Sequence, residues 1–240
     1  MLSKLKLYIF IEFIILKKHI ECKLKNRWYY KYLSPNIVQA FTLAEVLITL
    51  LIIGIISSIV IPALIADTQQ AEFITAWKKT YSVVDQATRR VMMDNGGTLI
   101  GAIQGPTDMV NKYSYYLNYT KKCIDDTSCW HLANNWFWYN KSIINYSLAG
   151  YGFILNDGTN IIYSHRNSDC SNTLYSGNIQ TCGWIFVDVN GFKGPNTIDK
   201  DIFYIYILKD RIVPRGIPGD SAGNTTCPAG GGCSAKYLYQ

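Results

Sequence analysis

The chain has 240 residues, 49% of them apolar, and a formal net charge of +6. That length allows one sizeable globular domain with an appendage, and the apolar share allows a buried core. The positive excess is confined to residues 1–40, where eight Lys and Arg (Lys4, Lys6, Lys17, Lys18, Lys23, Lys25, Arg27, Lys31) stand against Glu12 and Glu21. From Phe41 onward fifteen basic residues balance fifteen acidic ones, which gives no support to a nucleic-acid-binding domain built on a basic patch.

Leu5–Leu16 is apolar, but it has twelve residues with Glu12 inside it and is short for a membrane span. Phe41–Ile65, FTLAEVLITLLIIGIISSIVIPALI, is the dominant feature, with Glu45 its one charged residue. As a helix it would run about 37 Å, enough to cross a bilayer. The basic flank ahead of it is the side a membrane holds in the cytoplasm. Beyond Ala66 the helical pattern continues in an amphipathic form. Phe73, Ile74, Trp77, Tyr81, Val84, Ala87, Thr88 and Val91 recur at steps of three and four, leaving Lys78, Lys79, Asp85, Arg89 and Arg90 largely on another face. Pro62 stands at the join and removes one backbone hydrogen bond. Asp94-Asn95-Gly96-Gly97 predicts the stop.

A second helix is expected over Asp108–Lys122. Tyr151–Leu155 and Asn160–Ser164 flank the turn sequence Asn156-Asp157-Gly158-Thr159 and predict a hairpin. Trp184–Val189 and Ile202–Lys209 are rich in β-branched and aromatic residues and predict two more strands, which Ile212–Val213 continues. The Gly-, Pro- and Ser-rich stretch Pro214–Ser234 reads as loop.

Cys22 lies in the basic leader, and the other six cysteines fall in close pairs: Cys123/Cys129, Cys170/Cys182 and Cys227/Cys233. An even set in short loops, away from the cytoplasm, points to disulfides, with neighbour pairing the simplest of the connectivities. A zinc site is the alternative. It would have to be built without a CxxC and with only His131 and His165 beyond the leader.

A carboxylate at the fifth position of a membrane helix is costly in lipid and asks for a partner. A cut before Phe41 would create an α-amino group four residues from Glu45, a cation able to neutralise it in the same or a neighbouring subunit. Snorkelling of Glu45 to the interface is the other reading. The run Ala40-Phe41-Thr42-Leu43-Ala44-Glu45-Val46-Leu47-Ile48, with the apolar segment and Pro62 that follow, resembles the prepilin-type cleavage and methylation signal of type IV pilins and type II secretion pseudopilins. Ala40 stands where that family usually has Gly. The resemblance implies that a prepilin peptidase cuts between Ala40 and Phe41 and methylates the Phe41 amine, and that Glu45 pairs with that amine during assembly.

The downstream half is similar to pseudopilin-like proteins that follow the signal with a Trp-Lys-Lys helix, here Trp77-Lys78-Lys79, and a small sheet. Asp188-Val189-Asn190-Gly191-Phe192-Lys193-Gly194-Pro195 and the residues to Asp201 resemble their late loop, in which some pseudopilins hold calcium. Asp188, Asn190, Asp199 and Asp201 supply oxygen ligands suited to that ion. The competing reading is that Asp, Asn and Gly simply make turns.

Trp130, Trp136, Trp138 and Tyr139 form an aromatic cluster, read either as a sugar- or partner-binding platform or as a satellite core around a disulfide loop. Neither His131 nor His165 sits in a catalytic motif. Ser57, Ser58 and Gly54 read as helix-packing residues. An enzyme is not expected.

The expected fold is α+β: a long N-terminal helix packed by its lower half on an antiparallel sheet of three or four strands. The expected domains are a leader at 1–40, an assembly helix at 41–65, its amphipathic continuation at 66–97 and an extracytoplasmic domain at 98–240. The resemblance implies a filament subunit in the inner membrane or an extracytoplasmic filament. Its partners would be other pilin-like subunits, prepilin peptidase and membrane lipid, while secretion cargo or DNA as a further partner is not encoded in a readable form. The alternative is a single-span anchor carrying a binding or adhesion domain.

Overall fold

A computed structural model describes residues 42–148, 150–173, 178–220 and 233–239. The expectations for the leader, including Ala40 and Phe41, and for Cys227 lie outside the described residues. By their internal contacts the residues group into two units, 1–60 and 61–240. Helix α1 (Leu43–Asp94) has 52 residues and contains Pro62. Proline withholds one backbone donor, and the helix is assigned without interruption across it. Its end lies at the predicted stop: the amides of Asn95 and Gly97 donate to the Met92 carbonyl, and Gly96 and Gly97 take the left-handed φ values of 71° and 91° that glycine tolerates without strain.

In the first unit the described residues, 42–60, are all exposed apart from half-buried Ser57. In the second unit α1 buries Trp77, Thr80, Val84, Ala87, Thr88 and Val91. These positions fall on one face at helical spacing, as the sequence predicts, with Phe73 and Tyr81 partly buried beside them.

Helix α2 (Pro106–Ser114) starts on a proline in the first helical turn, where a missing amide costs nothing. The expected helix to Lys122 is corrected here, because residues 119–123 instead form β1 (Tyr119–Cys123), an edge strand paired with β2. Tyr and Thr favour an extended backbone. Thr120 and Lys121 face solvent along this edge, and the lysine discourages further pairing.

The sheet runs β1, β2 (Gly152–Leu155), β3 (Asn160–His165), β4 (Gly183–Asp188), β5 (Ile202–Ile207) and β6 (Ile212–Pro214). Each strand pairs antiparallel with its neighbour in sequence. There are six strands in place of the expected three or four: β1 is the addition, and β6 is the continuation expected at Ile212–Val213. The predicted hairpin is present. The Gly158 amide donates to the Leu155 carbonyl, Gly158 has φ of 87°, and Lys79 of α1 pairs with Asp157 at 2.8 Å.

Strands β4 and β5 are buried along their whole length, and period-two alternation divides their side chains between two cores. Ile185, Val187, Phe203, Ile205 and Ile207 pack with Trp77 and Val84 of α1. Trp184, Phe186, Tyr204 and Tyr206 pack on the opposite face with Trp130, Trp136 and Ile144. Helix α3 (Ser234–Leu238), where only loop is expected before it, fastens the C-terminal segment: the Tyr204 amide donates to Ser234 Oγ and the Trp77 indole to the Ser234 carbonyl.

Disulfides join Cys123 to Cys129 and Cys170 to Cys182. Cys233 is disulfide-bonded as well, and its expected partner, Cys227, is outside the described residues. The described cysteines are therefore disulfides and not a zinc site.

Candidate functional site

Two places carry the functional expectations: the start of α1 and the loop after β4. At the start of α1, Thr42 and Glu45 form a reciprocal capping box. The Thr42 amide and hydroxyl donate to Glu45 Oε2 at 3.0 and 2.9 Å, and the Glu45 amide donates to Thr42 Oγ1 at 3.2 Å. A carboxylate here also meets the positive end of the helix dipole. Glu45 is thus turned back onto Thr42, the residue that precedes the helix.

The next twenty residues of α1 are chemically uniform. Fifteen large apolar side chains between Leu43 and Ile65 are exposed, and the most apolar eighteen-residue window has a mean hydropathy of 2.7 with none of it buried. Soluble monomers rarely leave a contiguous apolar patch of that size open to water. The helix is long and apolar enough to cross a membrane.

The loop between β4 and β5 opens with Asp188, which is fully buried. Asp188 Oδ2 lies 2.6 Å from His131 Nε2, and Asp188 Oδ1 accepts from the Asn190 amide. Asp201 closes the loop by accepting from the amides of Asn196 and Thr197 at 2.8 and 2.7 Å. Burial pushes the Asp188 carboxyl well above the usual carboxylate range, and the neighbouring Asp201 charge adds to the effect. Burial likewise raises Asp201 against the Thr197 and Asn196 amides, and burial lowers His131.

Asp199 takes a different partner: both its oxygens accept from the Cys233 amide. Of the four expected calcium ligands, Asp188, Asn190 and Asp201 are therefore brought together, and Asp199 instead ties the C-terminal segment to the loop. Among the described residues no group of three or more His, Cys, Asp or Glu side chains is arranged to hold a metal ion. The carboxylates are occupied in making the loop, which is the work that turn-forming Asp residues do.

No family model, curated protein or solved structure matches the chain. Function must therefore be argued from its own residues.

The aromatic cluster divides in two. Trp130 and Trp136 are buried in the second core and Trp138 is packed against it, while Tyr139 is half exposed. His131 and Phe192 were not picked out as a pair by sequence. They are 61 positions apart, and the Phe192 ring meets the imidazole edge-on at 5.4 Å. The signal that could have linked them is the unusual placement of a Phe between Gly191 and Lys193 in a polar loop. His165, by contrast, lies half-buried at the end of β3.

Proposed function

We propose that the chain is a structural subunit of a type II secretion pseudopilus or type IV pilus-like filament, cut by prepilin peptidase between Ala40 and Phe41 and methylated at the Phe41 amine. The observation that carries this reading is the exposed apolar surface of α1 from Leu43 to Ile65, headed by a single carboxylate turned back onto Thr42. Large aliphatic side chains gain about 1.5–3 kcal/mol each on full burial, so fifteen of them demand a non-aqueous surrounding. Before assembly that surrounding is membrane lipid; afterwards it is the same helix of neighbouring subunits. The domain beyond α1 then stands outside the cytoplasm, where disulfides persist.

Glu45 supplies the register. Its carboxylate bonds the Thr42 amide, one residue from the amine that a cut before Phe41 would create, so exchange of the capping box for a subunit's own or a neighbour's amine needs little movement. An uncompensated carboxylate in the helix bundle would cost at least about 2.5 kcal/mol, which penalises subunits packed out of register.

The reading is tested by intact mass and N-terminal sequencing after co-expression with a prepilin peptidase. A mature chain beginning with N-methylated Phe41 supports it, and an uncut chain moves the assignment to a single-span anchor with a binding or adhesion domain. A Glu45→Ala chain is expected to insert in the membrane but to fail in filament incorporation; normal incorporation would refute the pairing role.

A further inference from the structure

The loop after the short 3-10 turn Thr127–Cys129 and the loop after β4 enclose an open cleft of about 660 Å³, within the usual span of about 300–1,000 Å³ for small-molecule sites. Its walls include Trp130, His131, Asn134, Asn135, Phe137 and Phe192, and none of its lining residues is Asp, Glu, Lys or Arg.

The cleft has three kinds of surface. Phe192 offers a ring that is 53% exposed on a loop tip, with Trp130 and Phe137 behind it. The side chains of Asn134 and Asn135 are exposed and have no hydrogen-bond partner among the described residues. His131 is held by the buried Asp188 through Nε2, and no described residue bonds its Nδ1. Asp188 fixes the imidazole ring in place, as carboxylates do for functional histidines. Either tautomer leaves one hydrogen-bonding position for the cleft: an acceptor if Nε2 donates to the carboxylate, a donor if a protonated Asp188 donates to Nε2.

These surfaces define the ligand by what they match and what they lack. A hydroxyl both donates and accepts, so it satisfies His131 in either tautomer and either end of an Asn amide. The exposed Phe192 ring matches a face of C–H groups. Phosphate polymers require several basic side chains along the groove; the cation bonded to a described lining residue, Lys121 on Ser128, is already paired with Asp126, so neither a phosphate chain nor an acidic sugar meets a row of cations there. We propose that this cleft binds a neutral carbohydrate, with Phe192 stacked on a sugar face, Asn134 and Asn135 bonding its hydroxyls, and His131 Nδ1 bonding one more. Unlike the filament role, this assignment does not depend on processing at Phe41.

The test uses the full chain in a sugar-free zwitterionic detergent, because alkyl glycosides would compete. Cellotriose, maltotriose, xylotriose and triacetylchitotriose are titrated by calorimetry, and trigalacturonate, sialyllactose and single-stranded DNA serve as charged comparisons. At least one neutral trisaccharide is expected to bind with a dissociation constant of about 1 mM or tighter. Phe192→Ala and the Asn134→Ala/Asn135→Ala pair should each weaken it about tenfold or more. Both changes lie at exposed positions, and an unchanged thermal unfolding curve will show that the fold is kept. His131→Gln, which retains a hydrogen-bonding amide, should weaken binding less than His131→Ala. No binding of any neutral trisaccharide at about 10 mM, binding indifferent to Phe192→Ala and to the paired Asn change, or preference for a charged comparison would each overturn the assignment.

Discussion

Removing the Trp77 side chain tests the packing of α1 on the sheet more directly than any other change. Trp77 is fully buried, its ring stacks on Phe203 at a centroid distance of 4.7 Å, and Tyr81 meets it edge-on at 5.5 Å. Its indole N–H donates to the Ser234 carbonyl at 3.2 Å, which ties the C-terminal segment to the helix. A large aromatic cut to Ala in a core costs about 3–5 kcal/mol, and the stranded Ser234 carbonyl adds about 1 kcal/mol. Trp77→Ala should therefore lose about 4–6 kcal/mol, which for a domain of this size lowers the melting temperature by roughly 10–20 °C. Trp77→Phe keeps a ring against Phe203 and loses the indole hydrogen bond and part of the volume, so it should cost about 2 kcal/mol. Denaturant unfolding of both variants, followed by far-ultraviolet circular dichroism, measures the two losses. A Trp77→Ala loss below about 1 kcal/mol, or equal losses for the two variants, would refute the argument that this ring joins helix, sheet and C-terminal segment.

The buried His131–Asp188 pair should give stability two opposing pH dependences. Burial raises Asp188 well above its ordinary range, so its contribution is present below the unfolded value near about pH 4 and is lost as pH rises toward the folded one. Burial lowers His131, so its contribution is present above the unfolded value near about pH 6.5 and is lost as pH falls toward the folded one. Unfolding titrations from pH 3 to 9 should show both limbs, and Asp188→Asn should flatten the alkaline one; an unaltered alkaline limb in that variant would count against Asp188 as its source. Replacing Cys123 and Cys129 together by Ala should cost about 2–3 kcal/mol from the freed loop, measured as a denaturant midpoint shift from the unaltered chain that disappears once reducing agent opens the Cys123–Cys129 bridge there. At Gly183 an added methyl would lie 2.1 Å from the Ser164 carbonyl oxygen. Gly183→Ala should therefore break the β3–β4 pairing and lose more than about 2 kcal/mol, and near-normal stability would show that the strands can part there.

The course and end of α1 were legible because local signals agreed, helical periodicity running through Val91 with two glycines to stop it, whereas the Thr42–Glu45 cap at its start is a finding of the structure. The hairpin at Asn156–Thr159 was legible for the same reason, its turn residues being set by local backbone geometry. The segment Tyr119–Cys123 was not, since its five residues take the strand form only through pairing with β2 and the bridge from Cys123 to Cys129. Strand choice in short segments is settled by partners, not propensity.

The candidate sites divide along the same line. Sequence by itself determined the apolar helix, its lone carboxylate and the close cysteine pairs, because those depend on composition and short spacing. It also supplied the buried face of α1, which periodicity alone marks. Tertiary structure decided that β4 and β5 are covered on both sides, that Trp130 and Trp136 belong to the second core, and that His131 meets Asp188 from 57 positions away. It also set Asp199 against the Cys233 amide and brought Phe192 against His131. No local pattern encodes these meetings: they exist only where the meander fixes which loops share an end of the sheet, and burial then sets the charge state of what they enclose.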